Sequence, residues 1–319
     1  MRARRSAQGL GVALGLLAAC HKDPPPQSSA PTPQQEAAAL LEQARRDVEQ
    51  APPEPKPSGP ALQVPANVPG PMPLIVFLHG LGGSGGELSS GLHLMEFSQG
   101  LGFAFLAPDG MLDNSQRRFW NATQSCCNFD HLQVDHIELL RGWINDALKS
   151  PKIDPTRVYL VGYSNGGFLA HRAACELGSR LRGIFSIGGA GINQPRSCHP
   201  DQAPNIVEIH SDDDAIVSFE GGYLFADRSR PKHPSAEATV KAWRKLSGCS
   251  EPAVATRDLD LDPRIPGAET QVWSGQGCTG NSVELWRIRG GNHGSGLSRL
   301  SVLAIWDAIQ AQSRAPAAL

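Results

Sequence analysis

"VYLVGYSNGGFLAHRAAC", Val158 to Cys175, decides how the rest of the chain is read. The apolar run Val158–Val161 has the length of a buried strand, and the Ala- and Leu-bearing stretch from Gly166 onward reads as a helix. Between them Ser164 is fenced by Gly162 and Gly166 in the pattern G-x-S-x-G. A strand that turns this sharply into a helix leaves no room for side chains two residues either side of the serine. The strained turn then holds the hydroxyl out of the fold. Such a serine is a candidate nucleophile, and it needs a base, an acid to orient that base, and N–H donors for an oxyanion.

Those partners are expected downstream in the order Ser, Asp or Glu, His, which is the chain order of α/β-hydrolases. The apolar run "NIVEIH" leads into Ser211-Asp212-Asp213-Asp214, and "VELWRI" leads into Arg289-Gly290-Gly291-Asn292-His293. Both sets fall where strands give way to loops, the edge at which α/β sheets bind ligands. His293 is therefore the candidate base and one of Asp212, Asp213 and Asp214 the candidate acid; spacing does not choose among the three. The oxyanion donors are expected to be the backbone N–H of Asn165, after the nucleophile, and that of Leu81 in "PLIVFLHGLGGSGG", Pro73 to Gly86.

The same glycine loop has a rival meaning. Gly80-Leu81-Gly82-Gly83-Ser84-Gly85 fits G-x-G-x-x-G after a strand, and Asp109 follows a further apolar run, as in a dinucleotide-binding unit. That reading accounts for neither the Ser164 turn nor His293, and it stands as a minor alternative.

Further out, apolar runs at Leu74–Leu78, Phe103–Leu106, Val158–Val161, Gly183–Ile187, Ile206–Ile209 and Val283–Ile288 alternate with helix-length stretches. The helices are expected near Leu88–Gln99, Val134–Leu148, Gly166–Leu177, Ala236–Leu246 and Leu297–Gln312. The alternation predicts an α/β fold, specifically a mostly parallel, doubly wound sheet of the α/β-hydrolase kind in a single domain.

The first 20 residues, "MRARRSAQGLGVALGLLAAC", have the basic start, short apolar run and small residues of an export signal. The apolar run is too short to span a bilayer. Its end, Leu17-Ala18-Ala19-Cys20, resembles a bacterial lipobox, so Cys20 is expected to be lipidated and the chain to be a membrane-anchored lipoprotein of the cell envelope, or secreted if it is not. From His21 to about Pro60 the Pro-, Gln-, Ser- and Ala-rich chain cannot bury a core and reads as a tether, with room for a short helix over Gln35–Gln50. The expected layout is a signal over 1–20, a tether over 21–60, a catalytic domain over 61–312 and a tail over 313–319.

Lys and Arg number 29 against 31 Asp and Glu, and no basic tract points to nucleic acid. With Cys20 set aside, Cys126, Cys127, Cys175, Cys198, Cys249 and Cys278 remain, an even set in an oxidising compartment that suggests up to three disulfides of open pairing. No C-x-x-C pair stands near a matching Cys or His pair, so no metal site is expected.

Taken together, "PLIVFLHGLGGSGG", "RRFWNATQSCCNF", "RVYLVGYSNGGFLAHRAACEL", "EIHSDDDAIVSFEGG", "HPSAEATVKAWRKLSGC" and "VELWRIRGGNH" make residues from about Pro73 to the last helix resemble the polyhydroxybutyrate depolymerase-like esterases. This secreted α/β-hydrolase family has feruloyl and acetyl-xylan esterase relatives. The resemblance implies a serine ester hydrolase; no cofactor is expected, and the protein is expected to act as a monomer on a small or oligomeric ester. It implies Ser164 as nucleophile, His293 as base and, from a stretch usually written H-G-T-x-D, Asp214 as the acid. The family's Cys-Cys pair falls on Cys126-Cys127, and its late cysteines on Cys249 and Cys278, implied to be bonded to each other. Two departures stand out. Gly294-Ser295-Gly296 follows His293 where many relatives have a Trp-Pro segment, and His210-Ser211-Asp212 replaces H-G-T. The depolymerases' separate surface-binding domain is not found after Leu297–Gln312, which favours short-chain or oligomeric esters over solid polymer. A non-catalytic surface lipoprotein that keeps the fold as a binding module is the alternative class.

Overall fold

The structure, a computed structural model, describes residues 59–314 apart from Asn67 and 193–196. The export signal, Cys20 and the tether up to residue 58 lie outside the described residues. Among the described residues ten strands and six α-helices follow one another in the order β1 (Met72–Leu78), α1 (Gly85–Gly91), α2 (Leu94–Leu101), β2 (Ala104–Leu106), β3 (Met111–Leu112), β4 (Arg118–Phe119), α3 (His136–Ala147), β5 (Ile153–Tyr163), α4 (Asn165–Leu177), β6 (Gly183–Ile187), β7 (Asn205–Ser211), α5 (Ala236–Leu246), β8 (Glu251–Leu259), β9 (Thr270–Gln276), β10 (Val283–Ile288) and α6 (Arg299–Arg314).

Eight strands form one sheet in the order β2-β1-β5-β6-β7-β10-β9-β8. The stretch from β2 to β10 is parallel, and β9 and β8 pair antiparallel at one edge. All seven residues of β1 and of β7 are buried, as strands covered on both faces must be. Alternation sends Leu74, Val76 and Leu78 into a core shared with α3, α4 and α5, and Ile75 and Phe77 into a second core shared with α1, α2 and α6. The two cores make the sheet doubly wound, and the six expected strands all belong to it.

Three features depart from the expectation. The helix anticipated over Leu88–Gln99 is two helices, because His93 takes a left-handed conformation (φ 54°) and breaks it; Ser84 starts the first by accepting from Glu87 N–H. The last helix runs on to Arg314. The antiparallel pair β8–β9 carried no strand signal, since β8 is an edge strand whose "EPAVATRDL" is mostly exposed and has no apolar face to conserve. Three disulfides, Cys126–Cys127, Cys175–Cys198 and Cys249–Cys278, tie the described region.

Candidate active site

Ser164 sits between β5 and α4 with φ 52° and ψ −117°, a backbone conformation that side chains rarely tolerate. Its surroundings enforce it. A Cβ on Gly162 would strike the carbonyl of Gly166, and one on Gly166 would strike the carbonyl of Leu78, so both fencing glycines are required by close backbone passage. The Ser164 N–H is held by the Ile187 carbonyl at 2.8 Å. Asn165, fully buried, accepts from Trp120 N–H through its Oδ1 at 2.7 Å and donates through Nδ2 to the Trp120 carbonyl at 3.0 Å. The elbow is thus bolted to the β4 segment.

The loops after β7 and β10 bring the other two groups in. His293 Nε2 lies 2.9 Å from Ser164 Oγ, and His293 Nδ1 lies 2.7 Å from Asp214 Oδ2. Asp214 Oδ1 accepts from Ile216 N–H at 2.8 Å and Val217 N–H at 2.9 Å. Burial works against the charge on Asp214, but the hydrogen bond and charge of His293 and the Val217 N–H hold its carboxyl below the usual carboxylate range. Gly188 (φ 59°) at the end of β6 leaves the space beside this pair, where a Cβ would stand 3.4 Å from the imidazole.

The neighbouring aspartates do other things. Asp212 accepts from Gly290 N–H at 2.8 Å and pairs with Arg287 at 3.2 Å, which ties down the start of the His293 loop. Asp213 is exposed. The far side of that loop is held by Ser295, whose hydroxyl donates to Asp262 Oδ2 at 2.6 Å and accepts from Asn292 N–H at 3.0 Å. Arg264 hydrogen-bonds Asp262 and drives its carboxyl far below the usual range. Asp262 was not singled out in the sequence, and nothing local marks it; Ser295 stood there only as part of the departure Gly294-Ser295-Gly296, with no role attached.

The glycine loop lies over the elbow. A Cβ on Gly80 would be 3.0 Å from the Tyr163 ring and 3.4 Å from Ser164 Cβ, so Leu81 follows directly at the serine. Among the described residues the Leu81 N–H takes no hydrogen-bond acceptor, while Gly82 N–H goes to the Arg118 carbonyl at 2.7 Å and Gly83 N–H to Gly80 at 3.1 Å. The Asn165 N–H opens α4 and is one of the orphan donors of a helix start. His79 supports the loop from inside. Its Nδ1–H donates to the Gly80 carbonyl at 2.7 Å, its Nε2 accepts from Gly110 N–H at 2.9 Å, and its own carbonyl accepts from the Trp120 indole at 2.8 Å. Burial pushes the His79 pKa down, in keeping with the neutral ring those partners require.

The dinucleotide reading of this loop finds no support here. Asp109, the acidic residue of that reading, accepts from Gly85 N–H at 2.8 Å and pairs with Arg118 at 3.0 Å, while Ser84 caps a helix of only 7 residues.

A doubly wound parallel sheet with a serine on a strand-to-helix elbow, and a histidine and an aspartate supplied by later strand ends, defines an α/β-hydrolase. Residues 64–240 match the sequence profile described as phospholipase/carboxylesterase, more than half of the chain, and the chain belongs to that family. It is similar to feruloyl esterase B of Piromyces equi, 24% identical over 245 residues that cover 75% of this chain and 42% of that protein. It is also similar to a protein of Nocardia uniformis subsp. tsuyamanensis that bears the name "Putative esterase NocK", at 26% over 189 residues, 56% of this chain and 53% of that one. The chain therefore spans about half the length of these curated relatives. Among solved structures, acetyl xylan esterase from Aspergillus awamori shares the fold with a TM-score of 0.58 at 13% identity, over 78% of this chain and 93% of that one. Esterase PE8 does so with a TM-score of 0.51 at 17% identity, over 79% and 98%.

Proposed function

We propose that this protein is a serine carboxylic-ester hydrolase of the polyhydroxybutyrate depolymerase-like kind. The observation that carries the reading is the hydrogen-bonded row Ser164–His293–Asp214 beside a loop whose Leu81 N–H takes no acceptor among the described residues. His293 Nε2 takes the hydroxyl proton as Ser164 Oγ attacks the ester carbonyl, and the Leu81 and Asn165 N–H groups receive the oxyanion. Collapse breaks the C–O bond to the alcohol, which leaves with the proton from His293. A water, deprotonated by the same nitrogen, then attacks the acyl-enzyme, and the acid departs as the proton returns to Ser164. Asp214 keeps the hydrogen of His293 on Nδ1 throughout and balances the imidazolium.

The substrates we assign are short-chain acyl esters or small ester oligomers. The names of feruloyl esterase B and acetyl xylan esterase support ester chemistry in general, and in this chain the Gly294-Ser295-Gly296 segment is committed to holding the His293 loop. Labelling with a serine-directed fluorophosphonate tests the mechanism: loss of label in Ser164→Ala is expected, and an unlabelled native protein would favour a binding module. Initial rates on a short-chain nitrophenyl ester and on polyester granules, measured side by side, test the substrate, and faster granule clearance overturns the assignment.

We further propose export and lipid anchoring through Cys20, with residues 61–312 as the catalytic domain. Cys20→Ser is expected to leave the membrane fraction; retention there would rule out acylation as the anchor.

A further inference from the structure

Directly beneath Asp214 lies a second buried set of titratable groups that the hydrolytic steps do not use. Alternation along β7 turns Glu208 and His210 to one face of the sheet, where they are 0% and 1% exposed. An acid and an imidazole are costly there unless paired. Glu208 Oε2 lies 2.7 Å from His171 Nε2 on α4, and Glu208 Oε1 lies 3.0 Å from His210 Nδ1. His210 Nε2 faces the Val217 carbonyl at 2.7 Å and Asp214 Oδ2 at 3.6 Å. The Trp243 indole on α5 closes the row 3.0 Å from His171 Nδ1.

These partners determine where the hydrogens are. An indole N–H only donates, so His171 Nδ1 accepts and its Nε2 carries the hydrogen given to Glu208. A carbonyl only accepts, so His210 Nε2 carries a hydrogen toward Val217. The contact between Glu208 and His210 Nδ1 then requires a proton of its own, because a bare carboxylate and a ring lone pair 3.0 Å apart in the sheet interior would repel. With that proton the pair is neutral as a whole. On His210 it sets a positive charge 3.6 Å from the carboxylate of Asp214. Burial opposes charge on both groups, yet hydrogen bonds from His171 and His210 hold Glu208 below its ordinary range, and Glu208 raises His210 above its own.

The other charged groups around the pair do not compete for the proton. His233, in the loop before α5, is held low by burial; Arg287 of β10 lies over the Phe219 ring at 5.0 Å and is paired with Asp212; His293 Nδ1 meets the same Oδ2 of Asp214 that His210 Nε2 approaches.

We propose that His210, clamped by Glu208, is a positioning residue that stays an imidazolium beneath Asp214 and keeps that carboxylate ionised and turned to His293. The role in turnover rests on the hydrolase reading of Ser164. A positive charge 3.6 Å from Asp214 Oδ2 disfavours a second one on His293, whose Nδ1 meets the same oxygen.

The charge is tested without turnover. In Ser164→Ala protein labelled with nitrogen-15 histidine, NMR at pH 7 is expected to show both His210 ring nitrogens protonated, and Glu208→Gln is expected to make the ring neutral. A neutral His210 at pH 7 in the Glu208 protein overturns the proposal. The role is tested on a short-chain nitrophenyl ester with His210→Gln, Glu208→Gln and the double variant. Each is expected to move the acid limb of kcat/KM upward by about one pH unit and to lower kcat more than it changes KM. The double variant should move the limb no further than Glu208→Gln alone, because the His210 charge is already gone in that variant. Losses that follow the melting temperature with an unmoved acid limb would reduce the pair to scaffolding. A native protein that shows the charged His210 but hydrolyses no ester would sink the hydrolase reading and leave the charge assignment standing.

Discussion

His293 Nε2 stands 2.9 Å from Ser164 Oγ although 129 residues separate them along the chain. β5 and β10 are not neighbours in the sheet, since β6 and β7 lie between them, so the contact depends on how far the loop after β10 reaches back across the strand ends. Asp212 and Ser295 hold that loop from its two sides, which makes the distance a property of the fold rather than of a flexible arm.

Ser164→Ala and His293→Ala are each expected to lower turnover on a short-chain nitrophenyl ester by on the order of 10⁶-fold with little change in melting temperature. Residual turnover above a hundredth of the native rate in Ser164→Ala would exclude it as the nucleophile.

The three aspartates should separate. Asp214→Asn is expected to cost about 10⁴-fold in kcat, Asp212→Asn about tenfold through a loosened His293 loop, and Asp213→Asn almost nothing. Comparable losses at all three positions would contradict the assignment of the acid.

Asn165→Ala keeps the backbone N–H but removes both hydrogen bonds to Trp120, leaving a buried N–H and carbonyl unpaired. A loss of about 2 kcal/mol in denaturant unfolding is expected, together with a drop in kcat. Native-like stability in this variant would mean that the elbow is held by its glycines alone.

Gly166→Ala forces a methyl group into the backbone of Leu78 and His79, with no flexible side chain to give way. Destabilisation of about 3 kcal/mol or more, or failure to accumulate as folded protein, is expected. A melting temperature within a degree or two of native would show that strand and helix can part there.

His136 should make the fold sensitive to mild acid. Burial, with the nearby charge of Arg172, lowers its pKa from 6.5 to about 4, and its Nδ1 accepts from Asn121 N–H at 2.8 Å. The unfolded chain therefore takes up a proton below pH 6.5 that the folded chain refuses until about pH 4, so stability falls as pH falls through that window. The contribution lost is roughly 3 kcal/mol. Unfolding free energies measured across the window should slope less in His136→Gln, and parallel slopes would remove His136 as the cause.

Sequence alone determined what local chemistry decides. Val158–Val161 could be read as a strand because it is continuously apolar, and Ser164 as an elbow because Gly162 and Gly166 stand where backbones must touch. The six buried strands were legible for the same reason, and β8 was not, because its exposed edge imposes no pattern. The resemblance to known esterases pointed to Asp214, while spacing left it equal to Asp212 and Asp213. Only the tertiary structure turned Asp214 inward, gave Asp212 and Ser295 the two sides of the His293 loop, joined Cys175 to Cys198, and stacked Glu208 and His210 under the acid. Glu208, His210 and Asp214 are near one another in the chain, but their places are fixed by His171, Trp243 and His293 from distant segments, as Asp212, Ser295 and the cysteines are by theirs, and a residue's own neighbours carry no record of a partner that arrives only when the sheet is assembled.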